Sequence, residues 1–345
     1  MRKKKFNPNS VAIPNGNYFA FPYSYEESNI CLLSIPWDVT TSYGEGTANG
    51  PEAILEASTQ LDFFDFDIER AWELPCYTLP INHCIKENSQ RFKKIAKEII
   101  LKEEQGISLS DPDIKELLKE VNKECKILNN QIEDECDKLL KDKKIVGLIG
   151  GDHSTPLGLI KALTKKHESF GILHIDAHAD LRKSYEGFKY SHASIMYNAL
   201  EYPQISKLIQ VGIRDLCQEE HNYIEKEARI NLFDDGTISQ LQFEGQSFSK
   251  ICDQIIAHLP EHVYISFDID GLEPSLCPNT GTPVPGGLTF NQAMHILRTL
   301  MHSGREIIGF DLCEVSPGNN EWDANVGARI LYKLCSITGI QCRKN

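Results

Sequence analysis

Asp176-Ala177-His178-Ala179-Asp180 follows directly on the apolar run Phe170-Gly171-Ile172-Leu173-His174-Ile175. Three ligand-type side chains stand at alternate positions, which puts them on one side of an extended backbone, whereas a helix would fan neighbouring ones about 200° apart. The preceding run is rich in branched apolar residues and reads as a buried strand. The three side chains are therefore expected at its carboxyl end, where open α/β sheets bind their ligands. Two carboxylates and an imidazole packed that closely repel or compete unless a cation holds them, so the stretch reads as a metal site. A loop with N-capping aspartates would show the same letters, since short Asp/His patterns also arise by chance. Recurrence favours the metal: two more acidic or His-bearing motifs follow expected strands.

Outward from this strand, the chain alternates strand and helix. Ile145-Val146-Gly147-Leu148-Ile149 reads as a strand leading into Gly150-Gly151-Asp152-His153-Ser154 and a helix over 157–163. Beyond the central strand come a helix over 193–200, a strand at 208–213, and the strand Val263-Tyr264-Ile265-Ser266-Phe267 ending in Asp268-Ile269-Asp270. A helix over 291–301 precedes the strand Glu306-Ile307-Ile308-Gly309-Phe310-Asp311-Leu312, which runs into Cys313-Glu314-Val315-Ser316-Pro317. Upstream, Ile30-Cys31-Leu32-Leu33-Ser34-Ile35 is a first buried strand. It is followed by a Gly-rich loop at 43–50, closed by Pro51 at a first helical position. That loop matches neither dinucleotide nor P-loop spacing and reads as a loop approaching the site. Strands alternating with helices imply a three-layer α/β fold, with a mainly parallel central sheet covered on both faces, as one domain over 1–345.

Between about 88 and 144 the composition shifts to Lys, Glu, Asn and Leu. Ile114, Leu118, Val121, Cys125, Leu128, Ile132 and Leu139 recur there at mostly three- and four-residue steps, behind a Ser110…Asp113 capping pattern. This predicts one long amphipathic helix that packs its stripe on the body of the same subunit, with a subunit contact as the alternative. The net charge of −13 argues against a nucleic-acid or membrane-surface partner, which would need a basic face. Eleven cysteines, an odd number with no Cys-x-x-Cys pair, signal neither a zinc ribbon nor a disulfide framework. They read as buried thiols of a reducing compartment. The basic start Met1-Arg2-Lys3-Lys4-Lys5 is not followed by an apolar run of signal-peptide length, and no later run reaches membrane-span length. A cytoplasmic protein is expected.

At the strand ends stand His153, Asp176, His178, Asp180, Asp268, Asp270 and Glu314. Without Glu314 they make four carboxylates and two imidazoles, a hard-to-borderline donor set too large for one zinc and natural for two divalent ions sharing bridging aspartates. Manganese fits best, with nickel, cobalt, iron and zinc as alternatives. Two such ions activate water for attack on a planar, electron-poor carbon, which means hydrolysis.

Gly-Gly-Asp-His-Ser (150–154), Asp-Ala-His-Ala-Asp (176–180) and Ser-Phe-Asp-Ile-Asp-Gly-Leu-Glu-Pro (266–274), in this order and strand context, closely resemble the three signatures of the ureohydrolases, the family of arginase and agmatinase. The resemblance runs from about Ile30 to Cys335, with the helical stretch at about 88–144 looking like an insertion. It implies that His153, Asp176, Asp180 and Asp268 hold one ion and His178, Asp176, Asp268 and Asp270 the other. It also implies that Glu314 pairs with the substrate guanidinium and that His192 shuttles a proton to the leaving amine, for which a neutral-range pKa would serve. His174 is expected in the core or behind a ligand. The implied reaction is hydrolysis of a small guanidino compound to urea and an amine, and trimers or hexamers occur among relatives of this fold.

For the substrate, Leu181-Arg182-Lys183 followed by Tyr185-Glu186-Gly187 and Ser191-His192 resembles the loop of one bacterial agmatinase group. Agmatine hydrolysis to putrescine is therefore expected, with Glu186 receiving the cationic tail and Thr282 bordering the pocket. Arg182, Lys183 and Lys189 would instead suit a carboxylate-bearing compound such as guanidinobutyrate or formimidoylglutamate, and arginase and guanidinase activities are further alternatives. The competing classes are a non-catalytic scaffold relative, which usually loses ligands, and a single-metal deacetylase-like hydrolase. Glu273 departs from the Asp more usual in the third signature.

Overall fold

The computed structural model describes residues 6–343, so the basic start Met1–Lys5 lies outside the described residues. In chain order the elements are β1 (Ile30–Ile35), α1 (Gly50–Ser58), β2 (Cys76–Thr78), α2 (His83–Glu104), α3 (Pro112–Lys141), β3 (Ile145–Gly150), α4 (Leu157–Lys166), β4 (Phe170–Ile175) and α5 (Ile195–Leu200). There follow β5 (Ile205–Val211), α6 (Gln218–Lys226), β6 (Ile230–Phe233), α7 (Asp235–Phe243), α8 (Phe248–Ala257), β7 (His262–Asp268), α9 (Phe290–His302), β8 (Glu306–Cys313) and α10 (Trp322–Gln341). The strands form one sheet in the order β2-β1-β3-β8-β7-β4-β5-β6, and every neighbouring pair is parallel.

The sheet is apolar on both faces because helices cover both, as parallel sheets require. Along β4, Leu173 and Ile175 join the core built with α8, α9 and α10, while Phe170 and Ile172 join the core built with α3, α4 and α5. The expected three-layer α/β architecture is what folds. Its strand order has a functional consequence: β3, β8, β7 and β4 lie side by side at the centre, although they come from four distant stretches of sequence. Their carboxyl ends form one edge, next to the point where the chain passes from β3 over two places to β4.

The edge strands β2 and β6, three and four residues long, were not expected, because runs that short carry no readable alternation. The strand predicted at 208–213 is β5, shifted to Ile205–Val211. The helix predicted over 193–200 begins with a 3-10 turn, His192–Ser194. At the start of α3 the cap is Asp111, which accepts from Asp113 N and Ile114 N, and not the predicted Ser110…Asp113 pattern. The α3 stripe is buried from Ile114 to Leu139 in the same core as Leu157 and Ile160 of α4. Gly158 permits that approach, since a Cβ there would fall 2.6 Å from Ile132 Cβ. The stripe thus packs on the body of its own chain. α2 fills the first half of the predicted helical stretch.

Candidate metal centre and its cleft

Each predicted motif follows one of the four central strands: His153 after β3, Asp176 to Asp180 after β4, Asp268 and Asp270 at the end of β7, and Glu314 after β8. The structure brings all of them together. His153 Nδ1 lies 3.0 Å from Asp176 Oδ2, 3.1 Å from Asp180 Oδ2 and 3.3 Å from Asp268 Oδ2. His178 Nδ1 lies 3.1 Å from Asp270 Oδ2 and 3.5 Å from Asp176 Oδ1, so Asp176 faces both histidines. The convergence does not arise by the alternation read from sequence. β4 stops at Ile175, and the next five residues are a loop in which Asp180 takes a left-handed φ of 54°, turning its carboxylate back toward His153.

Side chains behind these donors fix their orientation. Ser266 Oγ donates to Asp311 Oδ2 at 2.8 Å, and Tyr264 Oη donates to the same oxygen at 2.6 Å. The Ser266 hydroxyl, its proton committed, faces His153 Nε2 at 2.9 Å as an acceptor. Nε2 then carries a proton toward Ser266, and Nδ1 is the ring atom that faces the three carboxylates. His174 is arranged the other way round. Gln210 Nε2 donates to its Nδ1 at 3.0 Å and to Ala179 O at 2.7 Å, leaving His174 Nε2–H to donate to Asp176 Oδ2 at 2.8 Å. His174 therefore backs Asp176. Ser266, Asp311 and Gln210 were not singled out from sequence, although polar residues inside apolar strands are the available signal.

The cluster holds more negative charge than its histidines can neutralise. Burial opposes a charge on His153, yet Asp176 and Asp180 outweigh it and hold the imidazole well above its ordinary pKa. For His178 burial is likewise outweighed, by Asp270 and Asp176, and the value is pushed up to about 12. Asp176, buried among His174, His153 and His178, is held well below the usual carboxylate range despite its burial. Burial and neighbouring carboxylates push Asp268 and Glu314 well above that range, and burial with Asp176 pushes Asp180 to about 6. Buried carboxylates this crowded favour a cation among them. Donor atoms from Asp176, His178 and Asp270 lie within 4.8 Å of one another, and the same holds for His153, His174, Asp176 and Asp180. The donor set fits divalent metal.

Glu314 occupies the far side of the cluster. Its backbone is left-handed, with φ 61°, and Oε1 accepts from His153 N at 2.9 Å. Oε2 is buried with no hydrogen-bond partner and lies against Gly281, where a Cβ would come within 3.3 Å. A cleft of about 340 Å³ opens over the cluster, lined by His178, Asp180, His192, Thr282, Arg182 and Tyr185 among others. Ser42 and Tyr43 bring the Gly-rich loop to this wall, as expected for it. His192 is pushed down to about 4 by burial and by the facing His178 and His153, so it stands neutral at pH 7 and not in the neutral range expected of it.

The substrate-tail residues expected from sequence separate. Thr282 and Arg182 line the cleft, but Arg182 stacks on the Tyr185 ring at 4.8 Å and has Nε 3.7 Å from the buried Glu220 carboxylate. Glu186, Lys183 and Lys189 are not among the lining residues; the two lysines are exposed. Glu186 has its Oε2 buried and unpartnered, and burial together with the charges of Glu103 and Glu104 at the end of α2 pushes it up to about 7. Asp215, missed from sequence, lines the cleft mouth with its Oδ2 4.0 Å from His178 Nε2.

A parallel sheet, covered by helices on both faces, that gathers histidines and aspartates at its carboxyl edge defines an α/β protein with a candidate metal centre. Within that class the chain belongs to the arginase family, whose model matches residues 28–336. It is 31% identical over 319 residues to an N(1)-aminopropylagmatine ureohydrolase of Thermus thermophilus, covering 92% of each chain. It is 35% identical over 224 residues to a guanidinobutyrase of Pseudomonas aeruginosa, covering 61% of this chain and 66% of that one. An agmatine ureohydrolase of Thermoplasma volcanium shares its fold, with a TM-score of 0.72 at 21% identity over 96% of this chain and 97% of the other. The family works with a binuclear metal centre, and the chain is a hydrolase of that family. Among the described residues no helix is long and apolar enough to cross a membrane.

Proposed function

We propose that the protein cleaves the guanidino C–N bond of a small cationic guanidino compound, most simply agmatine, giving urea and putrescine. The observation that carries this is the buried, over-negative cluster of His153, Asp176, His178, Asp180, Asp268 and Asp270, with the unpartnered Glu314 Oε2 beside it. His153, Asp176, Asp180 and Asp268 would hold one ion, and His178, Asp176, Asp268 and Asp270 the other, manganese suiting the oxygen-rich set. When bound, the ions supply Lewis acidity that makes water in the cleft nucleophilic near neutral pH. Glu314 binds the planar guanidinium by charge-assisted hydrogen bonds and turns its carbon to the cluster. As the tetrahedral centre collapses, the C–N bond breaks and its electrons stay on the amine nitrogen. His192, neutral at rest, takes up the proton released by water and passes it to that nitrogen. Water supplies the oxygen of urea.

The cleft supports a cationic tail over a carboxylate. Arg182 is already held by Glu220, while the exposed carboxylate of Asp215 stands at the mouth, 4.0 Å from His178 Nε2. Agmatine extended by an aminopropyl group, the substrate in the name of the Thermus relative, is the second reading, favoured by the same Asp215. A homo-oligomer is part of the proposal: the edge-to-face pair Phe64 and Phe66 stands 67% and 93% exposed, as a subunit contact would want. The deciding experiment is urea release by manganese-loaded protein from agmatine, aminopropylagmatine, arginine and guanidinobutyrate. Selective turnover of an amine-tailed compound is expected. Turnover of guanidinobutyrate alone would sink the cationic-tail reading, and no turnover by metal-loaded protein would sink the enzyme assignment.

A further inference from the structure

The helical pair α2–α3 carries no residue of the metal cluster, yet it reaches both walls of the cleft. One face of α2 presents Lys86, Ser89, Lys93 and Lys97 at three- and four-residue steps. Lys93, buried, places Nζ 2.6 Å from Asp38 Oδ2, and Ser89 Oγ donates to Asp38 Oδ1 at 3.1 Å. Asp38 Oδ2 also accepts from Gly46 N at 3.3 Å, so the same carboxylate closes the loop 38–46 on itself. That loop sends Ser42 and the 82% exposed Tyr43 to the cleft wall, and its Thr40 Oγ1 accepts from His192 N at 3.4 Å. Lys97 pairs with Glu45, and Lys86 with Glu52 at 2.5 Å, along the same line.

On the other wall, α3 grips the loop that carries Arg182, Tyr185 and His192. Asn122 Nδ2 donates to Gly187 O at 3.0 Å, and its Oδ1 accepts from Lys189 N at 2.7 Å. Leu118 lies so close beneath Gly187 that a Cβ there would meet its Cδ2 at 2.8 Å, and Gly187 has a left-handed φ of 78°. Both cleft loops are therefore tied to one rigid helical pair.

We propose that α2 and α3 are the holder of the two cleft walls, with Lys93 and Asn122 as positioning residues that set how tightly the substrate is gripped. This rests on the reading of the cleft as the substrate site. The physical reason is preorganisation: a loop already closed in its binding shape loses less freedom when the substrate arrives.

The test compares Lys93→Met and Asn122→Ala with the parent protein, by steady-state urea release and by hydrogen exchange of peptides from 38–50, 181–192 and the β4 and β7 strands. Each variant is expected to raise KM roughly tenfold while kcat changes less than about threefold. Exchange should quicken roughly tenfold in the loop that the altered residue holds, with the other loop and the strands unchanged. Ser89→Ala, which removes one hydrogen bond from Asp38, carries the same expectation in smaller measure should Lys93→Met not fold. Unchanged loop exchange with unchanged KM overturns the proposal, and so does acceleration of every peptide alike. A parent protein that releases no urea defeats the functional reading, whereas the exchange pattern still decides whether the pair holds the loops.

Discussion

The carboxyl-edge cluster and the cleft walls above it are built on opposite plans. In the cluster, every proposed ligand sits within five residues of a strand end, and two of the buried histidines are aimed by other side chains: His153 by Ser266 and Asp311, His174 by Gln210. On the walls, recognition side chains stand on loops whose shape is borrowed from helices about fifty or more residues away in sequence, as Lys93 with Asp38 and Asn122 with Gly187 show. Chemistry needs donors fixed to fractions of an ångström, which a sheet supplies. Selectivity needs surfaces that can be altered without disturbing the sheet, which loops supply.

Asp268→Ala attacks the cluster at a residue proposed to bridge both ions and should give the largest effect. Bound metal should fall to a small fraction and kcat/KM by roughly a thousandfold or more, read by elemental analysis and urea release on one preparation. A variant that kept both would break the distinction drawn between cluster and walls. Glu314→Gln comes next: it leaves the proposed ligands intact and removes the charge facing the guanidinium, so metal content should hold while kcat/KM drops roughly a hundredfold. Ser266→Ala works one layer further back. Without its hydroxyl, His153 Nε2 loses its acceptor and metal affinity should weaken roughly tenfold, measured by competition with a chelator.

On the walls the effects should be smaller and should change substrate preference. Asp215→Asn is expected to raise KM for amine-tailed compounds several-fold, on the order of an exposed ion pair's worth, with kcat and metal content unchanged. The check is the ratio of KM values for agmatine and guanidinobutyrate. If that ratio stays put, Asp215 does not meet the tail.

The same division explains what could be read from the chain alone. Strand runs and strand-end motifs are local, so the sheet, the six proposed ligands and Glu314 were legible from short stretches of sequence. Asp311 and Ser266 were written in plain view but lie in neighbouring strands, and their partnership appears only when β7 and β8 pair. The walls were the least legible. Glu186 reads as a substrate acid because it sits between Tyr185 and Gly187 in the cleft loop, but it is not among the lining residues and stands, with a left-handed φ of 51°, beside the Gly187 that Asn122 holds. Arg182 read as a free cation because Glu220, which neutralises it, lies 38 residues on, in α6.

Glu186 yields the smallest and most specific prediction, because it is not among the cleft-lining residues and its carboxyl feels the charges of Glu103 and Glu104. In the folded chain its pKa is pushed up to about 7 by burial and those two acids, from an ordinary value of 4.5. Between these values the folded state holds a proton that the unfolded state has lost, so stability falls as pH rises through the interval. The group is neutral in both states below it and ionised in both above it, where the full cost of the buried charge is felt. Glu186→Gln removes that titration. At pH 8 the variant should be more stable than the parent by on the order of 1 kcal/mol, after allowance for the carboxylate's partly solvated position. At pH 4 the two should unfold at nearly the same denaturant concentration. Urea melts at the two pH values measure the difference directly, while KM for agmatine should stay unchanged. A KM that rises several-fold in Glu186→Gln would return this residue to the cleft wall and erase the line drawn between the loop's recognition side and its helix-facing side.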